Sequence, residues 1–251
     1  MKIVSWNVNG IRAVYKKNFL DWFIKENADI VCLQETKADE SQFPKELKEI
    51  EGYNFYCASA VRKGYSGVAV WSKIKPSAVR AGIENEIFDA EGRVLKLEFD
   101  KFVLFNIYFP NGGASTERLK YKLDFYDYFL EYLRKYQSKT VIICGDYNTA
   151  RYPVDLARPK ENEKVSGFLP EERLRLDELE KLGFTDTFRH FNSEPDNYTW
   201  WDYKTNARSR NVGWRIDYFY ISNNAVKDLN SASIKSAVTG SDHCPVSIKI
   251  Y

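Results

Sequence analysis

Histidine is scarce in this chain of 251 residues, which contains only His190 and His243. A zinc site built from three histidines is therefore excluded. The four cysteines are scattered and form no CxxC pair, so they provide no alternative ligand set. Any bound metal is expected to be a hard cation on oxygen ligands, such as Mg²⁺ or Mn²⁺. We interpret the cysteines as reduced thiols of a cytoplasmic protein: Cys32, Cys57, Cys144 and Cys244.

Long apolar runs and a strong charge imbalance are also absent. No apolar run approaches the roughly 18 residues that a membrane span needs, and the opening residues lack the layout of a signal peptide. The 37 basic and 35 acidic residues leave a net charge of +2, so any basic surface must come from the spatial sorting of charges. Without a linker or low-complexity segment, the sequence predicts one domain over residues 1–251, with no membrane association and a monomeric state.

Short apolar runs predict most of the secondary structure. Runs rich in Val, Ile and aromatic residues are typical of strands, which we predict at residues 2–6, 30–33, 53–58, 67–71, 94–99, 102–108, 140–144, 216–221 and 246–250. Helices are predicted at residues 18–26, 44–50, 115–136 and 170–182. The longest of them has a predicted apolar face of Leu119, Leu123, Tyr126, Leu130 and Leu133. Many strands with outer helices favour a layered α/β fold in which two sheets pack face to face.

Polar residues stand where several of these strands end. Asn7, Glu35 and Tyr108 follow or close three strands, and Asp146 and Asn148 follow a fourth. Side chains at strand ends can converge on a shared pocket. Glu35 alone also fits a solvated loop residue, and Tyr108 fits an amphipathic residue at the rim of the core. Asp146 and Asn148 also fit a simple Asx turn.

Asp217 and His243 are more informative as a pair. Asp217 lies inside the aromatic run Ile-Asp-Tyr-Phe-Tyr, where a buried charge needs a partner. His243 is a natural partner, because a carboxylate fixes the imidazole tautomer and stabilises its cationic form. A purely structural Asp–His pair remains the alternative. The polar set is oxygen-rich and has no convincing Ser or Cys nucleophile, so it favours metal-assisted hydrolysis by water.

Seven stretches of the sequence together resemble one known family. They occur in order and at similar spacing across essentially the whole chain: SWNVNGIRA, LQETK, IYFPNGG, GDYNTA, DLARPKEN with SGFLPEER, NVGWRIDYF and GSDHCP. They resemble the exonuclease III family of apurinic/apyrimidinic endonucleases. The resemblance implies a four-layered α/β sandwich, in which two packed mixed β-sheets are flanked by helices, and Mg²⁺ dependence with Mn²⁺ able to substitute.

The activity implied by the resemblance is hydrolysis of the phosphodiester bond on the 5′ side of an abasic site in duplex DNA. The products would be a 3′-hydroxyl and a 5′-deoxyribose phosphate. A 3′→5′ exonuclease or 3′-phosphodiesterase activity, or incision at uracil and other lesions, would be compatible with the same site. Recognition of an abasic site requires a baseless sugar to swing out of the stack, which is easier than flipping a paired nucleotide.

The resemblance also implies a metal site. By motif match, Glu35 binds the metal, with Asn7 beside it and Asp242 as a further acidic group near the ion. Asp146 activates or aligns the attacking water, and Asn148 orients the groups around it. Asp146 and Asn148 are also expected near the metal.

Further roles follow from the same motif matches. Tyr108 corresponds to the phenol near the scissile phosphate, and Asn111 to the asparagine that contacts the target phosphate. Asp217 and His243 match the family's Asp–His pair, with His243 toward the phosphate oxygens. The expected wall of the abasic pocket is Trp200, Trp214 and Ile216, and the expected backbone and groove contacts are Arg12, Lys16, Lys63, Tyr65, Lys204 and Arg208.

Two positions depart from some members of the family. Ala114 stands where some relatives carry a basic residue that inserts into the duplex, and Asn9 stands where some carry Asp. We therefore expect another residue to fill the gap left by the extruded sugar, and Lys204 is the candidate. Because Asn9 is neutral, a supposed extra metal ligand of the family carries no charge here.

Other functions share the same chemistry. DNase I-like nucleases, inositol-phosphate phosphatases and sphingomyelinases use a similar catalytic set, and fold alone does not separate them. The matches outside the catalytic set, in DLARPKEN, SGFLPEER and NVGWR, favour DNA repair. A non-catalytic DNA-binding module is disfavoured, because binding alone requires neither an Asp–His pair nor a metal carboxylate.

Overall fold

The structure, a computed structural model, describes residues 1–251. Its twelve strands are β1 Lys2–Asn7, β2 Ile30–Gln34, β3 Asn54–Ala58, β4 Val68–Ser72, β5 Ala78–Ala81, β6 Val94–Glu98, β7 Val103–Tyr108, β8 Val141–Asp146, β9 Phe184–Asp186, β10 Asp217–Ser222, β11 Leu229–Ile234 and β12 Val246–Ile250. Its eight α-helices are α1 Ile11–Tyr15, α2 Phe19–Glu26, α3 Lys45–Lys48, α4 Glu86–Asp89, α5 Thr116–Leu133, α6 Pro159–Asn162, α7 Pro170–Lys181 and α8 Thr187–Phe191. Short 3₁₀ turns occur at Glu40–Gln42, Arg134–Tyr136, Pro153–Asp155, Ala207–Arg210 and Asn223–Asp228.

Two mixed sheets of six strands form the centre of the molecule. The strand order is β11-β12-β1-β2-β4-β3 in the first sheet and β5-β6-β7-β8-β10-β9 in the second. Each sheet has one parallel pair at its middle, β1 with β2 and β7 with β8, and the remaining pairs are antiparallel. The central strands are buried on both faces, which is why they read as continuous apolar runs rather than as alternating patterns.

Three apolar clusters fill the spaces between the layers. One lies between the two sheets and includes Ile3 of β1 and Ile142 of β8. A second joins the outer face of the second sheet to α5 and α7, and a third joins the outer face of the first sheet to α1, α2 and α3. The result is a four-layered α/β sandwich, so the predicted fold class is confirmed. None of the helices combines the length and the apolar character that crossing a bilayer requires.

The nine predicted strands all exist, with ends shifted by at most two residues. Three further strands, β5, β9 and β11, were not predicted. All three lie at the edges of the sheets, and β5 is exposed along its whole length. An edge strand is held by backbone pairing with one neighbour, so its sequence need not carry an apolar pattern. The four short helices α1, α4, α6 and α8 were also missed, because helices of four or five residues carry little periodic pattern; α3, which is equally short, was predicted as the longer segment 44–50.

The predicted apolar face of α5 was partly wrong. Tyr126 and Leu133 are buried as expected, but the buried stripe runs through Lys122, Phe125, Phe129 and Tyr132 rather than through the leucines Leu119, Leu123 and Leu130. The aromatic rings pack edge-to-face on Phe105 and Phe109 of the sheet, which rotates the helix from the face that the leucines predicted. This rotation places a lysine, Lys122, in the interior.

Candidate active site

The catalytic candidates meet because the strands that carry them end at one edge of the sandwich. In the second sheet Tyr108 and Asp146 close the parallel strands β7 and β8 side by side. Strand β10 runs antiparallel to β8, so its first residue, Asp217, pairs with Asp146 at the same edge. In the first sheet Asn7 closes β1, and Glu35 follows the parallel strand β2.

Unusual backbone geometry directs some of these side chains into the cleft. Gly145 has φ +146°, and a Cβ at this position would lie 1.7 Å from the carbonyl oxygen of Ile107. Only glycine therefore allows β8 to approach β7 this closely just before Asp146. Glu35 and Asn148 have φ values of +54° and +50°, which are uncommon for residues with a side chain. Such backbone strain is concentrated at functional sites.

Asn7 links two carboxylates of the cleft, Glu35 and Asp146, from behind the cleft wall. Its Nδ2 group donates hydrogen bonds to Oε2 of Glu35 at 3.0 Å and to Oδ2 of Asp146 at 2.8 Å. Its Oδ1 atom accepts a bond from the backbone N–H of Asn9 at 2.9 Å, which fixes the amide orientation. Asn148 contributes its backbone N–H to Oδ1 of Asp146 at 2.8 Å. Glu35 and Asp146 are thus bridged through one amide.

His243 lies between two buried carboxylates. Its Nδ1 atom is 2.8 Å from Oδ2 of Asp217, and its Nε2 atom is 3.8 Å from Oδ2 of Asp146. Burial by itself would lower the pKa of His243, but Asp217 and Asp146 raise it to about 10. Burial raises the pKa of Asp146 above its ordinary value, although the His243 cation opposes this shift. At neutral pH His243 is therefore an imidazolium whose Nε2–H faces Asp146 and the cleft.

Asp242 is held by neutral donors on the opposite side. Its Oδ1 atom accepts from Nδ2 of Asn9 at 3.0 Å, and its Oδ2 atom accepts from Nε1 of Trp200 at 3.1 Å. Burial would raise the pKa of Asp242, but His243 and these donors lower it below its ordinary value. Asp242 is therefore ionised. Lys37 completes this side, with its Nζ 3.0 Å from Oε1 of Glu35 and 2.6 Å from Oδ1 of Asn9.

Tyr108 is held by a buried arginine. The Arg93 guanidinium lies 4.8 Å from the centre of the Tyr108 ring and donates to the Tyr108 carbonyl oxygen at 2.9 Å. The same guanidinium contacts Glu91 at 2.6 Å and the hydroxyl of Tyr65 at 3.0 Å. Burial and the nearby Glu35 carboxylate raise the pKa of Tyr108 well above its ordinary value, so the phenol stays protonated.

These groups line or support a single cleft of about 330 Å³. Ten of the predicted site residues line it: Glu35, Tyr108, Asn111, Asp146, Asn148, Trp200, Trp214, Ile216, Asp242 and His243. The indoles of Trp200 and Trp214 meet edge to face, 6.5 Å apart, and form an apolar wall together with Ile216. Asn7 and Asp217 lie behind the wall of the cleft and contact it through Asp146 and His243.

The remaining predicted DNA contacts lie outside the cleft. Arg12, Lys16 and Lys204 are exposed. The hydroxyl of Tyr65 accepts from Arg93 and Arg118, so Tyr65 is part of the arginine cluster beneath Tyr108. Arg208 donates to the carbonyl oxygens of Ser236 at 2.7 Å and Val238 at 2.6 Å and stacks on Trp201.

The donor set of the cleft fits a hard divalent cation. Glu35 has 18% of its side chain exposed, and Asp146 and Asp242 lie in the same cleft. Asp146, Asp217 and His243 also place ligand atoms within 4.8 Å of one another, although His243 Nδ1 is already bonded to Asp217. Carboxylate and amide oxygens are the preferred ligands of Mg²⁺ and Mn²⁺, so the residues present match the metal expected from the sequence.

Four residues that support the site had no predicted role. Lys37 lies in the LQETK segment and has φ +52°, a conformation that sequence does not show. Arg93 follows Gly92 in a loop whose neighbours carry no motif. Lys122 and Glu172 form a fully buried ion pair behind Asn148. Lys122 lies between apolar residues in α5. A lysine at a helix position that faces the core was the one feature of the sequence that could have indicated its role.

Comparisons with known proteins find relatives along essentially the whole chain. The profile of the endonuclease/exonuclease/phosphatase family matches residues 4–243. The chain is 44% identical to an exodeoxyribonuclease of Bacillus subtilis over 253 residues, covering 100% of this chain and 99% of that protein. It is 44% identical over 254 residues to the DNA repair nuclease APEX1 of Danio rerio, covering 99% of this chain and 81% of that protein. The structure of an AP endonuclease from Archaeoglobus fulgidus superposes with a TM-score of 0.91 at 28% identity, covering 100% of this chain and 99% of the other.

Proposed function

This chain belongs to the endonuclease/exonuclease/phosphatase family, and from that premise we propose that its cleft hydrolyses the phosphodiester bond on the 5′ side of an abasic site in duplex DNA. It is a DNA-repair nuclease of the exodeoxyribonuclease and AP endonuclease type. The products of the proposed reaction are a 3′-hydroxyl and a 5′-deoxyribose phosphate. The enzyme acts as a monomeric single domain, and its four free cysteines fit the reducing cytoplasm.

One observation carries the proposal: carboxylates, an imidazolium and a protonated phenol share a cleft with an apolar wall. Asp146, His243 and Tyr108 line the same 330 Å³ space as Trp200 and Trp214. The polar groups suit attack of water on a phosphodiester, and the indoles suit a sugar that lacks a base. A cleft made only for binding would not require a buried Asp–His pair.

Each polar group has a task in the hydrolysis. Asp146 takes a proton from the attacking water, because its carboxylate points into the cleft and the Asn7 and Asn148 N–H groups hold it in place. The water oxygen forms a bond to phosphorus as the bond to the 3′ oxygen breaks, and the leaving 3′ oxygen takes a proton from solvent water to become the 3′-hydroxyl. His243 donates Nε2–H to a non-bridging phosphate oxygen, and Asp217 keeps the imidazole cationic.

Two further groups bind the phosphate. Tyr108 stays protonated and donates its hydroxyl hydrogen to an oxygen that gains charge in the transition state. Asn111 donates to Oδ1 of Asn148 at 3.1 Å, and its exposed amide is available to a phosphate oxygen. Fixed donors of this kind require no reorganisation during the reaction.

Mg²⁺ is the proposed cofactor, and Mn²⁺ should replace it. Glu35 would hold the ion, with Asn7, Asp146, Asn148 and Asp242 around it. When bound, the metal supplies positive charge that offsets the charge developing on the phosphate and on the leaving oxygen. Lys37 already bonds Glu35, so its ammonium keeps this carboxylate oriented.

A substrate panel tests the function. We expect purified protein with Mg²⁺ to nick a duplex that carries a tetrahydrofuran abasic analogue, and to leave undamaged duplex and inositol phosphates intact. The matched control is Asp146→Asn, which should bind the abasic duplex without nicking it. Cleavage of inositol phosphates in preference to DNA would favour a phosphatase of the same family. Binding of DNA without cleavage by the unmodified protein would favour a binding module.

A further inference from the structure

The ion pair between Lys122 and Glu172 is completely buried. Both side chains have 0% exposure, and Lys122 Nζ lies 2.6 Å from Oε1 of Glu172. Lys122 belongs to α5 and Glu172 to α7, so the pair lies in the outer helical layer that covers the second sheet. A buried ion pair is a poor source of stability, because apolar residues of similar volume often stabilise a fold as well or better. Its contacts indicate a different role.

Lys122 reaches the active site through the backbone of Asn148. Its Nζ atom donates a second hydrogen bond to the Asn148 carbonyl oxygen at 2.6 Å. Asn148 has the left-handed φ of +50°, so its backbone needs support from its surroundings. Its N–H and side chain contact Asp146, and its Oδ1 accepts from Asn111. The lysine therefore fixes the residue that connects the proposed water-activating acid to the phosphate-binding amide.

Glu172 holds the wall of the cleft from the other side. Its Oε2 atom accepts from the backbone N–H of Gly167 at 2.5 Å and of Leu169 at 3.0 Å, and its Oε1 atom accepts from Oγ of Ser166 at 2.8 Å. Ser166 and Gly167 line the cleft. A Cβ on Gly167 would lie 3.1 Å from the Trp214 ring and 3.3 Å from the Asn148 carbonyl oxygen, so these groups are in tight contact.

We propose that Lys122 and Glu172 are positioning residues of the nuclease reaction, which lock Asn148 and the cleft-wall residues Ser166 and Gly167 into one arrangement. This inference rests on the proposed function. Neither side chain lines the cleft, and both act through the backbone of residues that do, Asn148 and Gly167. A displacement of about 1 Å in a catalytic group can lower the rate by about 100-fold. The effect of a rigid support on the rate is therefore larger than the small effect of a buried ion pair on stability.

Two variants separate positioning from stability. Lys122→Met leaves a buried carboxylate without its cation and should lower the melting temperature sharply. The double variant, Lys122→Met with Glu172→Gln, buries no charge and should recover most of that melting temperature. It still lacks the bond to the Asn148 carbonyl, so we expect kcat to stay about 10- to 100-fold below that of the unmodified protein, with KM nearly unchanged.

The matched control is Lys96→Met. Lys96 is also a buried lysine, with Nζ 2.7 Å from Oε1 of Glu98, but it lies on β6 and does not line the cleft. This variant should lose stability and keep its kcat. If the double variant recovers both melting temperature and kcat, the pair is only structural and the inference is wrong. Should the double variant fail to fold, Glu172→Gln alone carries the test, and an unchanged kcat overturns the inference.

A spectroscopic measurement keeps this test independent of the proposed function. The side-chain amide of Asn148 bonds the Phe109 carbonyl oxygen at 2.9 Å, so its ¹⁵N resonance reports the local arrangement without substrate. We expect this resonance to shift or broaden in the double variant and to stay in place in Lys96→Met. An unshifted resonance contradicts the positioning role. If the unmodified protein fails to nick the abasic duplex while the resonance shifts as expected, the proposed function is wrong and the structural coupling stands.

Discussion

At the scale of single residues, the cleft depends on neighbours that set the charge of each reactive group. His243 is cationic because two carboxylates outweigh the cost of its burial. Asp242 is anionic because His243, Asn9 and Trp200 donate to it or lie close to it. Tyr108 stays neutral in its buried position. A cation, an anion and a neutral donor therefore coexist within one small space, each with a physical reason for its state.

Replacing the groups that face the reaction should stop turnover and spare binding. We expect His243→Asn and Asp146→Asn each to lower kcat by about 10²- to 10⁴-fold, the range that a positioned acid or base contributes. Asp217→Asn should cost less, because it alters the orientation and charge of His243 without deleting it. Single-turnover kinetics and duplex-binding titrations measure the two effects. An Asp146→Asn variant with normal turnover at saturating substrate would contradict the water-activating role.

At the scale of secondary-structure elements, a buried charge network ties four segments together next to the cleft. Asp155, at the end of a 3₁₀ turn, is 2.8 Å from Nε of Arg215 and 2.6 Å from Nη2 of Arg189 on α8. Arg215 also bonds Asp186 of β9 at 2.7 Å. Because Arg215 lies two residues before Asp217, this network fixes the start of β10 and with it the Asp–His pair.

This network makes stability depend on pH in a defined direction. Burial would raise the pKa of Asp155, but Arg215 and Arg189 lower it below the ordinary value of 3.8. The ionised form therefore stabilises the fold fully above that value, and its contribution is lost as the pH falls through the lower pKa of the folded protein. We expect Asp155→Asn to lower the free energy of unfolding by about 3 kcal/mol at pH 7.

Urea unfolding of both proteins at several pH values measures this effect. The difference in unfolding free energy between the variant and the unmodified protein should become smaller below pH 3.8. A difference that does not depend on pH would contradict this account.

The loop that follows Trp200 contains the candidate for filling the gap in the duplex. Lys204 is exposed there, next to Tyr203, which is 53% exposed. If its side chain enters the gap left by an extruded sugar, Lys204→Ala should weaken binding to abasic duplex more than to undamaged duplex at matched salt. Lys16→Ala, which removes an exposed charge from the end of α1, serves as the control and should weaken both equally. Fluorescence anisotropy measures the affinity of each variant for the two duplexes. If Lys204→Ala weakens binding to abasic and undamaged duplex equally, Lys204 contributes only phosphate attraction.

At the scale of the whole molecule, we expect the fold to be independent of the proposed metal site. Three apolar clusters hold the four layers together, and neither Glu35 nor Asp242 belongs to any of them. We therefore expect a chelator to abolish nicking and leave the circular dichroism spectrum and the unfolding midpoint almost unchanged. Added Mg²⁺ or Mn²⁺ should restore nicking. Glu35→Ala should need more metal for half-maximal activity, and full activity in excess chelator would contradict the metal assignment.

Much of this organisation could be predicted from the sequence. The central strands are buried on both faces, so their composition alone identifies them, and the order of their polar ends indicated a shared pocket. Three of the four edge strands, β5, β9 and β11, could not be predicted, because backbone pairing holds them and their side chains carry little pattern. The face of α5 was partly mispredicted because aromatic packing on the sheet, rather than leucine spacing, set its rotation.

The sequence by itself determined the α/β class and the residue types of the cleft and predicted a hard metal ion, since these depend on composition and on motifs read along the chain. Only the tertiary structure decided which groups touch. The hydrogen bond from the Asn7 amide to Asp146 joins residues 139 positions apart in the sequence. The hydrogen bond from Lys122 to Asn148 joins a helix to the edge of a sheet. Contacts of this kind arise from the packing of layers, and local sequence does not encode the distance between residues that only the fold brings together.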